Sequence, residues 1–109
     1  MIVTSPTDID LVANAHSAAD LLRVLANARR LQVLCALRQG ELSVGRIADH
    51  VGLSQSALSQ HLARLRQDGV VATRRQGQTI FYRIADPDVM TILEAVASVM
   101  TGRRAGADQ

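Results

Sequence analysis

The chain has no lysine and no tryptophan, one cysteine, two prolines, and two aromatic residues, the adjacent Phe81 and Tyr82. Each scarcity excludes something. So few aromatics leave no platform of the kind on which single-strand nucleic-acid binders stack bases. A lone Cys35 cannot close an intramolecular disulfide and fits a reducing compartment, so a cytoplasmic location is expected. The longest wholly apolar run, Val33 to Leu37, has five residues, far short of the ~20 that cross a bilayer, so no membrane partner is expected. The N-terminal stretch carries Asp8 and Asp10 where a secretory leader would be basic. What is present is 109 residues, 48% hydrophobic and 20% charged. That suffices for one compact domain with a modest core, not for two, and is not the composition of a disordered chain.

Net charge is only +2, but it is unevenly spread. Between Arg23 and Arg83 lie ten Arg against Glu41, Asp49 and Asp68, while the flanks carry seven acids against two Arg. Arginine forks suit phosphate oxygens, so a basic centre between acidic ends suggests a nucleic-acid face. The bland alternative is a solvated surface in which Arg stands for Lys.

The coarse pattern is four helices, one hairpin and a last helix. Ser5, Pro6, Thr7, Asp8 and Asp10 supply capping signals for a first helix over residues 8–25. Its apolar positions Leu11, Ala15, Ala18, Leu22 and Leu25 form a heptad seam for a partner helix. Asn27 is the cap expected for a second helix, Ala28 to Gln39, closed by Gly40. Its run Val33 to Leu37 is apolar all round, which predicts a buried central helix. Arg29 and Arg30 in its first turn oppose the helix dipole and call for nearby acids or an external anion.

Two short helices with matching starts follow. Leu42-Ser43 and Leu53-Ser54 each place a serine cap after an apolar staple, and Val51-Gly52-Leu53-Ser54 makes the turn between them. Residues 43–67 therefore read as a helix-turn-helix with the second helix in the recognition position. With Leu58, Leu62 and Leu65 as the core stripe, Ser56, Gln60 and Gln67 point away, Ser59, His61 and Arg64 flank them, and Gln55 sits at the exposed start. Ser and Gln read base edges, Gln suiting adenine, and no acid occurs from Ser54 to Gln67. A neutral polar surface is the alternative.

Residues 70–84 alternate as two strands, Val70 to Arg75 and Gln78 to Ile84, with Gln76-Gly77 as the turn. Arg74, Arg75, Gln76 and Gln78 crowd the tip, which suits phosphates or a minor groove, or else protects a sheet edge. Asp86-Pro87 opens a last helix over 86–101. Its stripes Val89, Ile92, Val96, Val99 and Met90, Leu93, Ala97, Met100 exceed one small core, so with the first helix they predict a two-fold homodimer. Residues 104–109 are expected to form a flexible tail.

The segment Leu42-Ser-Val-Gly-Arg-Ile-Ala-Asp-His-Val-Gly-Leu-Ser-Gln-Ser-Ala-Leu-Ser-Gln-His-Leu resembles the ArsR/SmtB family of bacterial winged-helix repressors. So do Leu25-Ala-Asn-Ala-Arg-Arg-Leu-Gln-Val-Leu-Cys, Leu65-Arg-Gln-Asp-Gly-Val-Val and Gln78-Thr-Ile-Phe-Tyr-Arg. The likeness spans about residues 8–101 and is nearest the branch that holds the HlyU, BigR and NolR regulators. It implies a mainly α fold with a small β-hairpin: one winged helix-turn-helix domain over 1–103, with about five helices, a two-stranded wing, and a homodimer through the terminal helices. It implies further a palindromic double-stranded operator and repression by promoter occlusion. The arsenic and cadmium sensors of that family place Cys-x-Cys where this chain has Glu41-Leu-Ser-Val-Gly. Its zinc and nickel sensors need a His on the last helix, where this chain offers only Asp86, Asp88 and Glu94. His16, His50 and His61 have no ligand spacing, so neither a metal site nor a cofactor is expected. Thiol sensors of the resembling branch carry a Cys at the place of Cys35 and a second near Thr101, which is absent here. Cys35 is then either a small core hydrophobe or the thiol of a single-cysteine redox-responsive repressor, and no other residue suggests an effector. No nucleophile–base pair or phosphate loop supports an enzyme. The rival class is a winged-helix protein-interaction module, against which the basic centre and the acid-free helix both weigh.

Overall fold

A computed structural model describes residues 11–107. In chain order it holds α1 (Ala15–Leu25), α2 (Ala28–Ala36), β1 (Leu42–Ser43), α3 (Val44–Val51), α4 (Gln55–Gln67), β2 (Val71–Gln76), β3 (Thr79–Ile84) and α5 (Pro87–Ala107). The expected first helix is interrupted: residues 11–13 are helical, and Asn14, at φ −109° and ψ 25°, breaks the ladder before α1. Asparagine is among the weaker helix formers, so a break falls at this position at little cost. The capping signals at Ser5, Pro6, Thr7, Asp8 and Asp10 lie outside the described residues.

The Asn27 side chain accepts hydrogen bonds from the backbone N–H groups of Arg29 and Arg30 at 3.0 and 3.1 Å and so starts α2. The helix ends at Ala36 rather than Gln39, because the Leu37 N–H divides between the carbonyls of Val33 and Leu34 and tightens the last turn. Neither first-turn arginine meets an acid among the described residues. Arg29 donates to Gln32, and Arg30 reaches back to the Val24 carbonyl at 3.3 Å. A cation that opposes its own helix thus serves the negative C-terminal end of α1.

The core gathers Leu25 of α1, Val33 and Leu34 of α2, Leu37, Ile47 of α3, Leu58, Leu62 and Leu65 of α4, Val70 and Val71 at the start of the hairpin, and Val89 and Leu93 of α5. Each buried leucine contributes roughly 1.5–3 kcal/mol. Cys35 is not among them: it is exposed, which corrects the expectation of a core thiol. With Val33, Leu34 and Leu37 all turned inward, the residue after Leu34 is left on the outer side of α2.

The wing belongs to a three-stranded antiparallel sheet of order β1-β3-β2, where the sequence predicts two strands. The added strand pairs Leu42 with Tyr82 and Ser43 with Phe81. Two residues are too few to show a period, yet they cover the edge of β3 that the hairpin leaves unpaired. The ladder between β2 and β3 runs from Val71↔Ile84 to Gln76↔Thr79, so the turn is Gly77-Gln78 rather than Gln76-Gly77. Gly77 has φ +63° and Gln78 does not, which is the sign pattern of a type II′ turn with glycine first.

The side chain of Asp86 accepts from the Asp88 N–H at 2.9 Å and opens α5. The helix runs to Ala107, past the expected end at 101 and into the segment expected to be a flexible tail. No proline stops it; Gly102 and Gly106 each cost only about 1 kcal/mol in a helix, and Arg103 and Arg104 favour one.

Candidate nucleic-acid interface

Residues 43–67 fold as the spacing predicts. Ser43 Oγ accepts from the Arg46 N–H at 3.3 Å and starts α3. Gly52, at φ 70°, closes it with its N–H on the Ala48 carbonyl at 2.9 Å. Ser54 Oγ accepts from the Ala57 N–H at 3.2 Å and starts α4. Leu58, Leu62 and Leu65 face the core, so α4 holds its other side outward.

On that side Gln55, Ser56 and Gln60 are exposed, and among the described residues their side chains have no hydrogen-bond partner. Ser59 donates its hydroxyl to the Gln55 carbonyl at 2.7 Å and keeps its lone pairs outward. His61 is half-buried on the flank. Arg64 is exposed and pairs with Asp68 at 3.3 Å, which lowers its net local charge. No carboxylate therefore interrupts the helix face until its C-cap.

The hairpin tip separates the four expected residues into two kinds. Arg75 and Gln78 are exposed and, among the described residues, unpartnered. Arg74 is committed inward: its Nε donates to Glu41 at 3.1 Å, Nη2 donates to the same carboxylate, and Nη1 donates to Gln76 Oε1 at 2.9 Å. Its guanidinium also lies 4.6 Å from the centroid of the Phe81 ring. The Arg74 hydrogen bond holds the Glu41 carboxyl below the usual range, helped by the charges of Arg74 and Arg83 against some desolvation. Sequence reasoning missed Glu41 and Phe81, because only the sheet register brings them to Arg74.

Cys35 and His50 line one surface cavity of about 400 Å³, together with Gln39, Gly40 and Glu41. Among the described residues no three His, Cys, Asp or Glu side chains converge as a metal site, and no helix is long and apolar enough to cross a membrane.

Residues 27–73 match the family described as "Bacterial regulatory protein, arsR family". The transcriptional activator HlyU of Vibrio cholerae is 49% identical over 85 residues, covering 78% of this chain and 79% of HlyU. The structure of reduced HlyU superposes with a TM-score of 0.76 at 47% identity, over 83% of this chain and 95% of that one. The transcriptional repressor BigR of Xylella fastidiosa gives 0.78 at 34% identity, over 88% and 96%. The helix-turn-helix with its wing, the polar outer side of α4 and these likenesses agree: the chain belongs to the ArsR family and is a DNA-binding transcriptional regulator, not an enzyme.

Proposed function

We propose that the protein acts as a homodimeric repressor on a palindromic operator. Each copy lays α4 in a major groove, the two recognition helices about 34 Å apart, and sets its wing on the flanking backbone. Gln55, Ser56, Ser59 and Gln60 read base edges or adjacent phosphates. Arg75 and Gln78 hold the sugar-phosphate chain, and Arg64 joins them where a phosphate displaces Asp68. The observation that carries this reading is that the Gln55, Ser56 and Gln60 side chains, on an acid-free helix, have no partner among the described residues. Inside the protein they satisfy nothing; against base edges they have donors and acceptors to meet.

The dimer reading draws on the apolar side of the terminal helices. Leu22 of α1 is 55% exposed, and Val96, Val99 and Met100 of α5 are 43%, 54% and 54% exposed. A wholly apolar cavity of about 260 Å³ lies between these helices, lined by Leu22, Leu25, Leu31, Ile92 and Val96 among others. A second copy covers such a surface by two-fold symmetry.

Selection of duplexes from a random library by the purified protein tests the reading. A palindromic consensus bound by a dimer, with affinity falling steeply in salt, is the expected result. A protein that enriches no duplex, or that binds as a monomer, contradicts it. Exposure of Cys35 beside His50 favours a second reading, in which a peroxide oxidises the thiol to a sulfenic acid and releases the operator. Operator affinity unchanged by hydrogen peroxide would remove it.

A further inference from the structure

Arg74 is expected from its place near the hairpin tip to hold a phosphate, but its carboxylate and ring contacts run the other way. It stands on β2, at one edge of the sheet. Its cross-strand neighbour on the central strand is Phe81, and beyond Phe81 lies Ser43 of β1. The Arg74 side chain crosses the central strand over the Phe81 ring and ends on Glu41, two residues before Ser43. One side chain therefore reaches from β2 across β3 to the residue before β1, joining residues 33 apart in the chain. Its Nε and Nη2 both serve the carboxylate and Nη1 serves Gln76, so the Nε/Nη2 fork that could grip a phosphate is already taken by Glu41.

The far end of this link matters as much as the near end. Glu41 precedes β1, and the last residue of β1, Ser43, caps α3. The wing's outer strand is thereby tied to the segment that starts the helix-turn-helix. Besides this tie, the hairpin is held beside that segment by the short pairing of β1 with β3 and by Val71, Tyr82 and Ile84 packed on the core. Arg83, which carries a favourable charge interaction with Glu41, helps keep the carboxylate ionised.

We propose that Arg74 is a positioning residue, not a phosphate ligand: with Glu41 and Phe81 it straps the wing to the start of α3 and so sets where Arg75 and Gln78 meet the DNA. The proposal rests on the DNA-binding geometry proposed above, and its test separates the two. The probe is a duplex selected by the wild-type protein from a random library, with affinity measured by fluorescence anisotropy over a salt series. E41Q and R74Q should each weaken binding roughly tenfold, and the E41Q/R74Q double variant should be no weaker than either alone, as for two ends of one link. The salt slope of R74Q should stay at the wild-type value. Amide hydrogen exchange of residues 71–84 in the DNA-free protein should speed up in both single variants. E41Q that binds as tightly as wild type or tighter, or an R74Q slope reduced by about 0.9, makes Arg74 a phosphate ligand restrained by Glu41 and overturns the proposal. Unchanged exchange overturns it as well. A wild-type protein that selects no duplex sinks the DNA geometry instead, while the exchange measurement still judges the strap.

Discussion

Gln60 and Arg75 are both exposed and both without partners among the described residues, yet their chemistry assigns them different work. A carboxamide matches the donor and acceptor of adenine, whereas a guanidinium matches any phosphate. Gln60→Ala should cost about 1–3 kcal/mol on a selected duplex and far less on random DNA; equal losses would mean that Gln60 reads no base. Arg75→Ala should weaken both alike and lower the salt slope by about 0.9, and an unaltered slope would remove its phosphate contact. Glu41 offers a test in acid. Arg74 lowers its carboxyl pKa in the folded state, so the resulting stabilisation is present above the ordinary carboxylate range and is lost as pH falls through the folded value. The unfolding temperature should therefore fall more steeply below that range in the wild type than in E41Q. Parallel curves would show that the pair adds nothing to stability.

The turn between α3 and α4 depends on a backbone conformation that most residues resist. Gly52 has φ 70°, and a Cβ added there would meet no atom within 4 Å. Gly52→Ala should thus cost about 1–2 kcal/mol from conformation alone, seen as a lower urea midpoint at constant m-value. A loss much larger would point to a clash that the geometry does not contain. This turn was legible in the sequence, as were the caps at Asn27, Ser43, Ser54 and Asp86 and the stripe Leu58, Leu62, Leu65. All of them act within a few residues of themselves, so spacing suffices. What escaped depends on pairing across long stretches of chain: β1, which exists only because β3 offers an edge; the turn residues, shifted by one through the ladder register; and the Glu41–Arg74–Phe81 link. The exposure of Cys35 escaped for another reason. A run that is apolar all round carries no marker of which side faces the core. The partners of Arg64 and Arg74 likewise show that a cluster of arginines in sequence overstates the charge available to DNA.

The molecule is long for its size. Its radius of gyration is 16.6 Å, against about 13 Å for a compact domain of this length, and its greatest extent is 60 Å. Much of the excess is α5, whose 21 residues span about 31 Å and whose first half alone reaches the core. Beyond Leu93, residues Val96, Val99 and Met100 stay exposed, as does Leu22 of α1, which lines one cavity with Val96, so the arrangement of helices leaves apolar surface that one copy cannot cover. If a second copy covers it, the same contact fixes the distance between recognition helices, and dimer formation and operator binding must fail together. Val99→Asp places a charge on that surface, away from α4 and the wing and outside the core. It should give a folded monomer in sedimentation experiments, with the helical circular dichroism kept. Affinity for a palindromic duplex should fall by about 10²–10⁴-fold, because two half-sites are no longer engaged as one unit. Affinity for a single half-site should hardly change, since α4 and the wing are intact in each copy. A Val99→Asp protein that remains dimeric would place the interface elsewhere, and one that is monomeric yet binds the palindrome at full strength would show that half-site spacing is not set by the terminal helices.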